Sequence, residues 1–466
     1  MAHKHYHFIG IGGIGMGALA SLVLAKGHRV SGSDLKESQL FLELRHRGAA
    51  VFLGHAYENV GQPDFVVYSS AVGEDNPEMK AARDKEIPVL RRAELLAELM
   101  SNHVGITVAG AHGKTSTTSM ISCLLMSAGI NPTTAVGGII NGTSYNANLG
   151  RGQYFVAEVD ESDGSFLYFQ PFYSIITNID FEHVDYYHTW ENILAAYAQF
   201  VQRTAEGGTV IACGDDPNLR RILESVGQRH LTYGFSKDND IFADRIVLDG
   251  YQSRFDCLAD RNPLGTFELS VPGRHNILNS MAAIALGLAL NVEVPVIQKS
   301  LKAYRGVKRR MQIVGDITDI CVMDDYGHHP TEIKATLQAA RLLGKKRVVT
   351  VFQPHRYTRT KFLMDGFVES LQLSDYVIIT DIYAASEPPI EGISAETICG
   401  RLREKTDKPV VYLKKEDIFA HLRDAVRPGD LVLTLGAGDI YRIGEELVRD
   451  LTEKARKTLL SVGKKI

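Results

Sequence analysis

The chain has 466 residues, of which 45% are hydrophobic and 23% are charged, and its formal net charge is −4. This length suggests about three domains of roughly 150 residues each, and the charge argues against nucleic acid as a partner. The longest apolar run, residues 281–290, is far shorter than the ~20 residues of a membrane span, and five scattered cysteines without a CxxC pair indicate a cytoplasmic protein without disulfides.

Residues 1–97 alternate short apolar strands with helices, which is typical of a parallel, doubly wound sheet. The pattern predicts four strands, at Tyr6–Gly10, His28–Gly32, Phe65–Tyr68 and Val89–Leu90. A helix after the first strand is expected to end at Gly27. The sequence therefore predicts a Rossmann-like N-terminal domain.

The first strand leads into the segment GIGGIGMG, residues 10–17. Gly10, Gly12 and Gly15 satisfy the GxGxxG pattern, which places a diphosphate at a helix N-terminus, and Asp34 follows the second strand, where an acid can contact a ribose. Any nucleotide diphosphate fits this pattern. A nicotinamide-dependent dehydrogenase and a structural role in helix–strand packing are therefore both alternatives.

A second unit, residues 98–312, is predicted to contain a mostly parallel sheet and a small β region. Strands are predicted at Val104–Ala109, Tyr154–Val159, Tyr173–Thr177 and Thr209–Ala212, with further short strands between residues 230 and 272. Helices are predicted at Thr115–Ala128 and Asn276–Leu290. The segment GAHGKTS, residues 110–116, lies between the first of these strands and its helix.

This strand–loop–helix arrangement is typical of a phosphate-binding loop, although Val108 stands where the general pattern has a glycine. Backbone N–H groups at the helix N-terminus face the anion, Lys114 reaches the β- and γ-phosphates, and the Thr115 hydroxyl holds Mg²⁺. The alternative is a glycine turn with a surface lysine.

Two acidic segments follow predicted strands, at the edge where open α/β sheets bind ligands. In EVDESDGSF, residues 158–166, Glu158 is the best candidate for a Mg²⁺ ligand beside Thr115, because Mg²⁺ prefers oxygen ligands. In NIDFEHVDYYH, residues 178–188, His183 is either a metal ligand or an ordinary hydrogen-bonded histidine. A solvated acidic turn is the alternative for the first segment.

Two further segments carry polar residues whose roles the pattern leaves open. In RHNILN, residues 274–279, Asn276 can cap a helix or reach a ligand. In RGVKRR, residues 305–310, four cations suit nucleotide phosphates or a negatively charged transition state, and a solvated linker explains them almost as well.

The third unit, residues 313–466, is again predicted to be α/β. Strands are predicted at Ile320–Met323, Arg347–Phe352, Tyr376–Thr380, Val410–Leu413 and Asp430–Leu435. DDYGHHPTE (residues 324–332) and FQPHRYTRT (residues 352–360) follow two of them. Because arginine forks bind carboxylates in a bidentate manner, Arg356 and Arg359 favour a small substrate that carries a carboxylate.

These segments occur in one order over almost the whole chain, and in that order they resemble the Mur ligases of bacterial cell-wall synthesis. The resemblance implies an α/β protein of three domains: a Rossmann-like UDP-binding domain (1–97), a central P-loop ATPase (98–312) and a Rossmann-like amino-acid-binding domain (313–466). It further implies that ATP and Mg²⁺ activate the carboxylate of UDP-N-acetylmuramate as an acyl phosphate. The amine of L-alanine then attacks this intermediate, and ADP and phosphate leave.

The resemblance also implies roles for individual residues. It implies an ATP-binding set of Gly110, Ala111, His112, Gly113, Lys114, Thr115, Ser116, Asn276, Asp325 and Tyr326. It implies a UDP-sugar set of Gly12, Gly13, Gly15, Ser33, Asp34, Ser69 and Ser70. It implies that Thr115, Glu158 and His183 hold metal, and that Arg356 and Arg359 bind carboxylate groups. It implies a catalytic set of Lys114, His183, Arg310 and His328.

Two departures and several rivals accompany the resemblance. The family's histidine motif usually reads DHMD and here reads EHVD, and residues 162–236 lack the lysine that later ligases of the pathway carbamoylate. A murein tripeptide recycling ligase shares the loop and the UDP-binding domain, and folylpolyglutamate synthase shares only the ATPase core. A non-catalytic nucleotide-binding regulator is an alternative from another class.

Overall fold

The computed structural model describes residues 3–142 and 146–463. Three β-sheets, each covered by helices, form within these residues. No helix in the described ranges is both long and apolar enough to cross a membrane. Each of the five cysteines is free.

The first sheet has the order β3-β2-β1-β4-β5, and its strands pair in parallel. Its elements are β1 His5–Ile9, α1 Ile14–Ala25, β2 Arg29–Asp34, α2 Gln39–His46, β3 Ala50–Leu53, β4 Phe65–Tyr68, α3 Pro77–Asp84, β5 Val89–Arg91 and α4 Arg92–Met100. The chain reverses its direction across the sheet after β3. The carboxyl ends of β1 and β4 therefore lie side by side at the point where an open α/β sheet binds its ligand.

The second sheet has the order β15-β14-β13-β12-β11-β10-β6-β9-β7-β8. Its first elements are β6 Val104–Ala109, α5 Lys114–Ser127, β7 Thr133–Ala135, β8 Ala147–Asn148, β9 Tyr154–Glu158, β10 Tyr173–Ile176, α6 Val184–Tyr187, α7 Trp190–Gln202, β11 Thr209–Cys213 and α8 Pro217–Val226. The remaining elements are β12 His230–Gly234, β13 Ile241–Asp249, β14 Gln252–Ala259, β15 Asn262–Leu269, α9 Arg274–Ala289 and α10 Val294–Ala303. Strand β6 pairs in parallel with both β10 and β9, which places the loop after it in the middle of the sheet's carboxyl edge.

The third sheet has the order β16-β17-β21-β18-β19-β20, and every pair except β16–β17 is parallel. Its elements are β16 Gln312–Ile317, β17 Ile320–Asp325, α11 Pro330–Arg341, β18 Arg347–Phe352, α12 Tyr357–Phe362, α13 Met364–Leu371, β19 Tyr376–Ile379, α14 Ala395–Arg403, β20 Val410–Tyr412, α15 Lys415–Ala425, β21 Asp430–Leu435 and α16 Tyr441–Gly463. Alternate residues of β17 enter two different cores, Cys321 and Met323 on one face and Ile320 and Val322 on the other. Burial on both faces explains why this strand is apolar without a break until its acidic end.

The chain divides into two compact units. The first contains residues up to 245 together with 255–267 and 278–305, and the second contains 246–254, 268–277 and everything from 306 onward. The division therefore passes through the small β region and through helix α9. Each unit is described separately below.

The predicted fold class is confirmed, with a parallel N-terminal sheet, a mostly parallel central sheet extended by the strands between residues 230 and 272, and a third α/β sheet. Several boundaries differ by one or two residues; helix α9, for example, begins at Arg274 rather than at Asn276. The sequence pattern does not predict strands β3, β7, β8 and β16. The first three have two to four residues each, which is too short for a periodic pattern to be visible. Strand β16 has six residues, but none of them is buried and its pairing with β17 is irregular, so it lacks the apolar run that marks the other strands.

Candidate active site

The loop after β6 forms a compact turn around the start of helix α5. The N–H groups of Ala111 and His112 donate to the backbone oxygen and the side-chain Oδ1 of Asn178, at 3.1 and 2.9 Å. The Thr177 hydroxyl donates to the carbonyl of His112 at 2.6 Å. The residues that directly follow β10 therefore hold the loop in place. Helix α5 begins at the end of this loop, and an anion at its N-terminus is stabilised by the free N–H groups and the helix dipole.

Two glycines of this loop cannot be replaced without strain. Gly110 and Gly113 have φ angles of +128° and +82°, a region that residues with a side chain rarely adopt. A Cβ atom at Gly113 would lie 2.4 Å from Oδ1 of Asn279, and one at Gly110 would lie 2.1 Å from Oγ1 of Thr177. The glycines therefore allow close packing under the position that the phosphates would take.

We expect Gly113→Ala to weaken ATP binding by at least about tenfold, because the added methyl group meets Asn279 and the backbone must leave a left-handed conformation that costs a side-chain residue ~1–2 kcal/mol. Gly129→Ala is the matched control: Gly129 follows the same helix with a φ of +72°, and no atom lies within 4 Å of the position that an added methyl group would take there. Titration calorimetry with ATP on both variants measures the difference. Equal ATP affinity in the two variants would show that the tight packing at Gly113 does not serve the nucleotide.

Lys114 is the first residue of α5, and its side chain lies back over the loop. Its ammonium group donates to the Gly110 carbonyl at 2.6 Å and to Oε1 of Glu161 at 2.7 Å. Nε2 of His183 lies 3.3 Å from the same Glu161 oxygen, and 3.7 Å from Oε2 of Glu182. One buried carboxylate thus connects the loop lysine with the histidine of the second acidic segment.

The charges of this cluster shift the pKa values of its members. Burial disfavours the charged form of Lys114, but the carboxylates of Glu161 and Asp160 outweigh burial and raise its pKa. Burial also opposes the charged form of His183, but the hydrogen bond to Glu161 and the nearby Glu182 raise its pKa above the ordinary value. His183 has a φ of +56°, so the backbone is held in an unfavourable conformation to bring the ring to this place.

Thr115 and Glu158 lie next to each other, as the sequence predicts. The Thr115 hydroxyl donates to Oε1 of Glu158 at 2.9 Å, and the N–H of Gly137 donates to Oε2 at 2.8 Å. A hydroxyl and a carboxylate oxygen are ligands that Mg²⁺ accepts. A second group of potential ligand atoms, within 4.8 Å of one another, comes from Glu161, Glu182 and His183.

The glycine loop of the N-terminal sheet is held by the acid at the end of β2. Oδ2 of Asp34 accepts the N–H of Gly12 at 2.9 Å, and the Ser38 hydroxyl donates to the Gly12 carbonyl at 2.8 Å. A Cβ atom at Gly12 would lie 3.0 Å from the Asp34 carboxylate. Asp34 therefore shapes the loop, and the loop needs glycine at this position for close approach.

The other residues of the predicted UDP-sugar set lie at the same sheet edge. Ile9 pairs with Tyr68 in the parallel sheet, so Ser69 and Ser70 follow β4 beside the start of the glycine loop. Ser33 is fully buried, and its hydroxyl donates to Glu78 at 2.5 Å. The Ser33 side chain is therefore committed to the interior of the domain.

Arg92 connects this loop with the central sheet. A Cβ atom at Gly15 would lie 3.3 Å from the Arg92 side chain, and Nη2 of Arg92 lies 3.8 Å from Oδ2 of Asp160. Partial burial favours the neutral form of Asp160, but Lys114 and Arg92 outweigh it and hold its pKa below the ordinary value. The Arg92 guanidinium therefore lies close both to the glycine loop of residues 10–17 and to the acidic segment of residues 158–166.

Two predicted residues of the second unit contact a glutamate outside the predicted set, and a third predicted residue packs against them. Arg310 and Oε1 of Glu332 form an ion pair at 3.3 Å, and the N–H of His328 donates to Oε2 of Glu332 at 3.0 Å. The rings of Tyr326 and His328 meet edge to face, with their centroids 5.5 Å apart. The structure therefore brings Arg310, Tyr326 and His328 into one cluster.

Asp325 and Asn276, which are predicted to face the nucleotide, bind backbone groups of the protein. The buried carboxylate of Asp325 accepts the N–H groups of Met311 and Gly327, each at 2.7 Å, and burial raises its pKa to about 6. The amide of Asn276 donates to the Pro272 carbonyl at 2.8 Å. Asn276 thus fixes the entry to its own helix α9, and Asp325 fixes the residue before β16 and the turn before α11.

Arg356 and Arg359 flank the start of helix α12. Nη1 of Arg359 lies 3.1 Å from Nδ1 of His355, and Nε of Arg356 lies 3.9 Å from Oε1 of Glu387. Burial, with His328 and the two arginines as further causes, lowers the pKa of His355 to about 3, so its ring is neutral and can accept from Arg359. Glu387 also accepts the N–H and hydroxyl of Thr358, at 3.0 and 2.7 Å, which anchors the loop that carries it.

The sequence pattern does not single out four charged residues that contact the predicted ones, namely Arg92 and Glu161 in the first unit and Glu332 and Glu387 in the second. Glu161 stands inside the first acidic segment, but the position at the end of the strand favours Glu158. Arg92 and Glu332 lie in the first turns of helices α4 and α11, where a charged residue is ordinarily read as a cap. Glu387 lies in the loop between β19 and α14, where a charged residue is ordinarily read as solvent-exposed. Their roles depend on partners distant in sequence.

Three models of Mur ligase domains match consecutive parts of this chain. "Mur ligase family, catalytic domain" matches residues 5–104, "Mur ligase middle domain" matches 108–287, and "Mur ligase, glutamate ligase domain" matches 309–438. A UDP-N-acetylmuramate–L-alanine ligase from Pelotomaculum thermopropionicum is 48% identical over 455 residues, which cover 97% of this chain and 99% of the relative.

Two solved structures share the whole architecture. The UDP-N-acetylmuramate–alanine ligase of Thermotoga maritima matches with a TM-score of 0.85 and 29% identity, over 97% of this chain and 100% of that one. A murein peptide ligase from Psychrobacter arcticus matches with a TM-score of 0.72 and 26% identity, over 96% and 98%. Because the three domain models follow one another in the order of the three sheets and together span most of the sequence, the chain belongs to the Mur ligase family.

Proposed function

We propose that this protein joins L-alanine to UDP-N-acetylmuramate at the expense of ATP, a step in the synthesis of bacterial peptidoglycan precursors. The observation that carries the proposal is the 48% identity, over nearly the full length of both chains, to a relative that bears this activity in its name. We place the reaction in the cytoplasm, where ATP is available, and the free cysteines agree with a reducing compartment.

The rival functions are less well supported. The murein peptide ligase structure is less similar, both in TM-score and in identity, than the alanine-adding one. A nicotinamide-dependent dehydrogenase is not favoured, because the glycine loop occurs within a chain whose three domains all match ATP-dependent ligases. We further assign residues 1–97 to UDP binding, 98–312 to ATP binding and 313–466 to the amino acid; the bounds of the three matches support this division into domains.

Within this proposal, the loop of residues 110–116 binds the ATP phosphates at the N-terminus of α5. Lys114 exchanges its contact with Glu161 for the γ-phosphate and neutralises charge as the phosphoryl group moves to the muramoyl carboxylate. Thr115 and Glu158 would hold one Mg²⁺, and His183 with Glu161 a second, since these donor atoms are close enough to share a cation. Bound Mg²⁺ would supply further neutralisation of phosphate charge.

The remaining predicted residues bind or orient the other substrates. Gly12, Gly13 and Gly15 present the N-terminus of α1 to the UDP diphosphate, while Ser69 and Ser70 lie beside them. We assign a nucleotide contact to Tyr326 and charge stabilisation to Arg310 with His328, whereas the side chains of Asn276 and Asp325 hold backbone groups of their own unit. Arg356 and Arg359 bind the carboxylate of L-alanine in a bidentate manner, which leaves its amine free to attack.

Phosphate release tests this function. Purified protein is incubated with ATP, Mg²⁺, UDP-N-acetylmuramate and L-alanine, and each component is omitted in turn. We expect release only when all four are present, together with a UDP-sugar product that is heavier by one alanyl residue. Release with a tripeptide in place of L-alanine, and none with L-alanine, would transfer the assignment to the recycling ligase.

A further inference from the structure

A short hairpin of the central domain touches both predicted ligand sites of the first unit. The hairpin consists of β7 and β8, which pair in antiparallel fashion, Ala135 opposite Ala147. Strand β7 also pairs in parallel with β9, and Ala135 lies opposite Ala157. Asn146 adjoins Ala147, and its side chain contacts the glycine loop of residues 10–17. Glu158 adjoins Ala157, and its side chain contacts Thr115 at the predicted nucleotide site.

Asn146 connects the hairpin with the glycine loop. Its side-chain amide donates to the carbonyl of Ile14 at 2.6 Å, and Ile14 is the first residue of helix α1 inside the GIGGIGMG loop. The side chain of Asn146 is only 3% exposed. Because an unsatisfied buried amide is costly, this hydrogen bond holds the hairpin against the loop that we assign to the UDP diphosphate.

The backbone beside Asn146 also connects to the predicted nucleotide site, through Val136 and Gly137. The N–H of Val136 donates to the backbone oxygen of Asn146 at 2.8 Å, and the next N–H, that of Gly137, donates to Oε2 of Glu158 at 2.8 Å. A Cβ atom at Gly137 would lie 2.4 Å from that carboxylate oxygen, so glycine is required for the approach. Oε1 of Glu158 remains directed at the Thr115 hydroxyl.

We propose that Asn146 is a positioning residue that couples UDP-sugar binding to the placement of Glu158 at the nucleotide site. A diphosphate at the N-terminus of α1 orders Ile14. The hydrogen bond between Ile14 and Asn146 then orders the backbone of Val136 and Gly137, which pairs with Asn146. Glu158 is thereby held beside Thr115 at the nucleotide site. The inference rests on the proposed function, and because coupling between two sites is reciprocal, bound nucleotide tightens UDP-sugar binding by the same factor.

The test compares Asn146→Asp with Asn148→Ala. Aspartate keeps the shape of the side chain but cannot donate to the Ile14 carbonyl, whereas Asn148 lies two residues further along the same hairpin with an exposed side chain. Calorimetry measures ADP binding in the presence of Mg²⁺, with and without saturating UDP-N-acetylmuramate. No turnover occurs under these conditions, so the readout is binding alone.

In the unaltered protein and in Asn148→Ala, we expect UDP-N-acetylmuramate to tighten ADP binding by a factor within the range of about 5 to 150 that is typical of coupled sites. In Asn146→Asp this factor should fall below about twofold, while each ligand alone binds within about threefold of its normal affinity. An unchanged factor in Asn146→Asp, or no coupling in the unaltered protein, would overturn the inference.

A second measurement does not depend on the variant being folded. In the unaltered protein, UDP-N-acetylmuramate should slow hydrogen exchange at the amides of Val136 and Gly137, and no slowing there would also overturn the inference. If UDP-N-acetylmuramate does not bind the unaltered protein at all, the proposed function fails instead, so the two failures are distinguishable.

Discussion

Lys114→Ala is expected to lower kcat for phosphate release by at least about 10³-fold, which is the lower end of what a single cation contributes to phosphoryl transfer. The reason is electrostatic: Lys114 is the only lysine or arginine of the GAHGKTS loop, and Glu161 and Asp160 keep it protonated. When the γ-phosphate moves to the muramoyl carboxylate, the N–H groups at the N-terminus of α5 remain in Lys114→Ala, but the full positive charge that Lys114 places on the loop is lost.

The variant should still bind UDP-N-acetylmuramate within about twofold of the normal affinity, because the glycine loop of residues 10–17 belongs to another sheet. Stopped-assay phosphate release and calorimetry with the UDP-sugar measure the two effects separately. Lys334→Ala is the control, since Lys334 lies in the first turns of α11 and pairs with an exposed glutamate, Glu369, at 3.0 Å. Turnover of Lys114→Ala comparable with that of the control would remove the loop from the mechanism.

His183→Ala is expected to raise the Mg²⁺ concentration for half-maximal activity by about 10- to 100-fold, the usual cost of disturbing a metal site. His183 brings a ring nitrogen to 3.3 Å from Glu161, within the group of potential ligand atoms that also contains Glu182. Without the ring, Glu161 keeps its ion pair with Lys114 and is drawn toward that cation.

Magnesium titrations of phosphate release measure this effect, with thermal unfolding as a check that the variant is folded. His188→Ala is the matched control, because His188 is an exposed histidine that lies just after the same short helix α6. If His183→Ala and the control show the same Mg²⁺ dependence, His183 is an ordinary hydrogen-bonded histidine, the alternative that the sequence left open.

The sequence predicted those parts of the molecule in which the chemistry is local. The phosphate loop needs a strand, two glycines, a lysine and a helix in direct succession, and the structure places them in that order. The close pairing of Thr115 with Glu158 was also predictable, because Glu158 ends β9 and Thr115 lies just beyond the end of the neighbouring parallel strand, β6.

The parts that could not be predicted depend on contacts between distant segments. Asp34 has the position of a ribose ligand in the sequence pattern, yet its carboxylate accepts the N–H of Gly12 and shapes the loop. Glu161 gains its importance only where residues 114 and 183 meet it. Hairpin β7–β8 forms because β9 offers an edge for pairing, and its own five residues contain no periodicity.

The division of the chain into two units has a consequence for protein engineering. The second unit includes residues 246–254 and 268–277, which precede residue 306 in the chain. Tyr251 from the first of these segments packs against the core of the third sheet, and its hydroxyl oxygen lies 3.3 Å from Sγ of Cys321. A chimera that exchanges amino-acid specificity between two ligases at residue 306 would therefore separate Tyr251 from its partners, and a functional exchange must transplant both segments with the C-terminal domain.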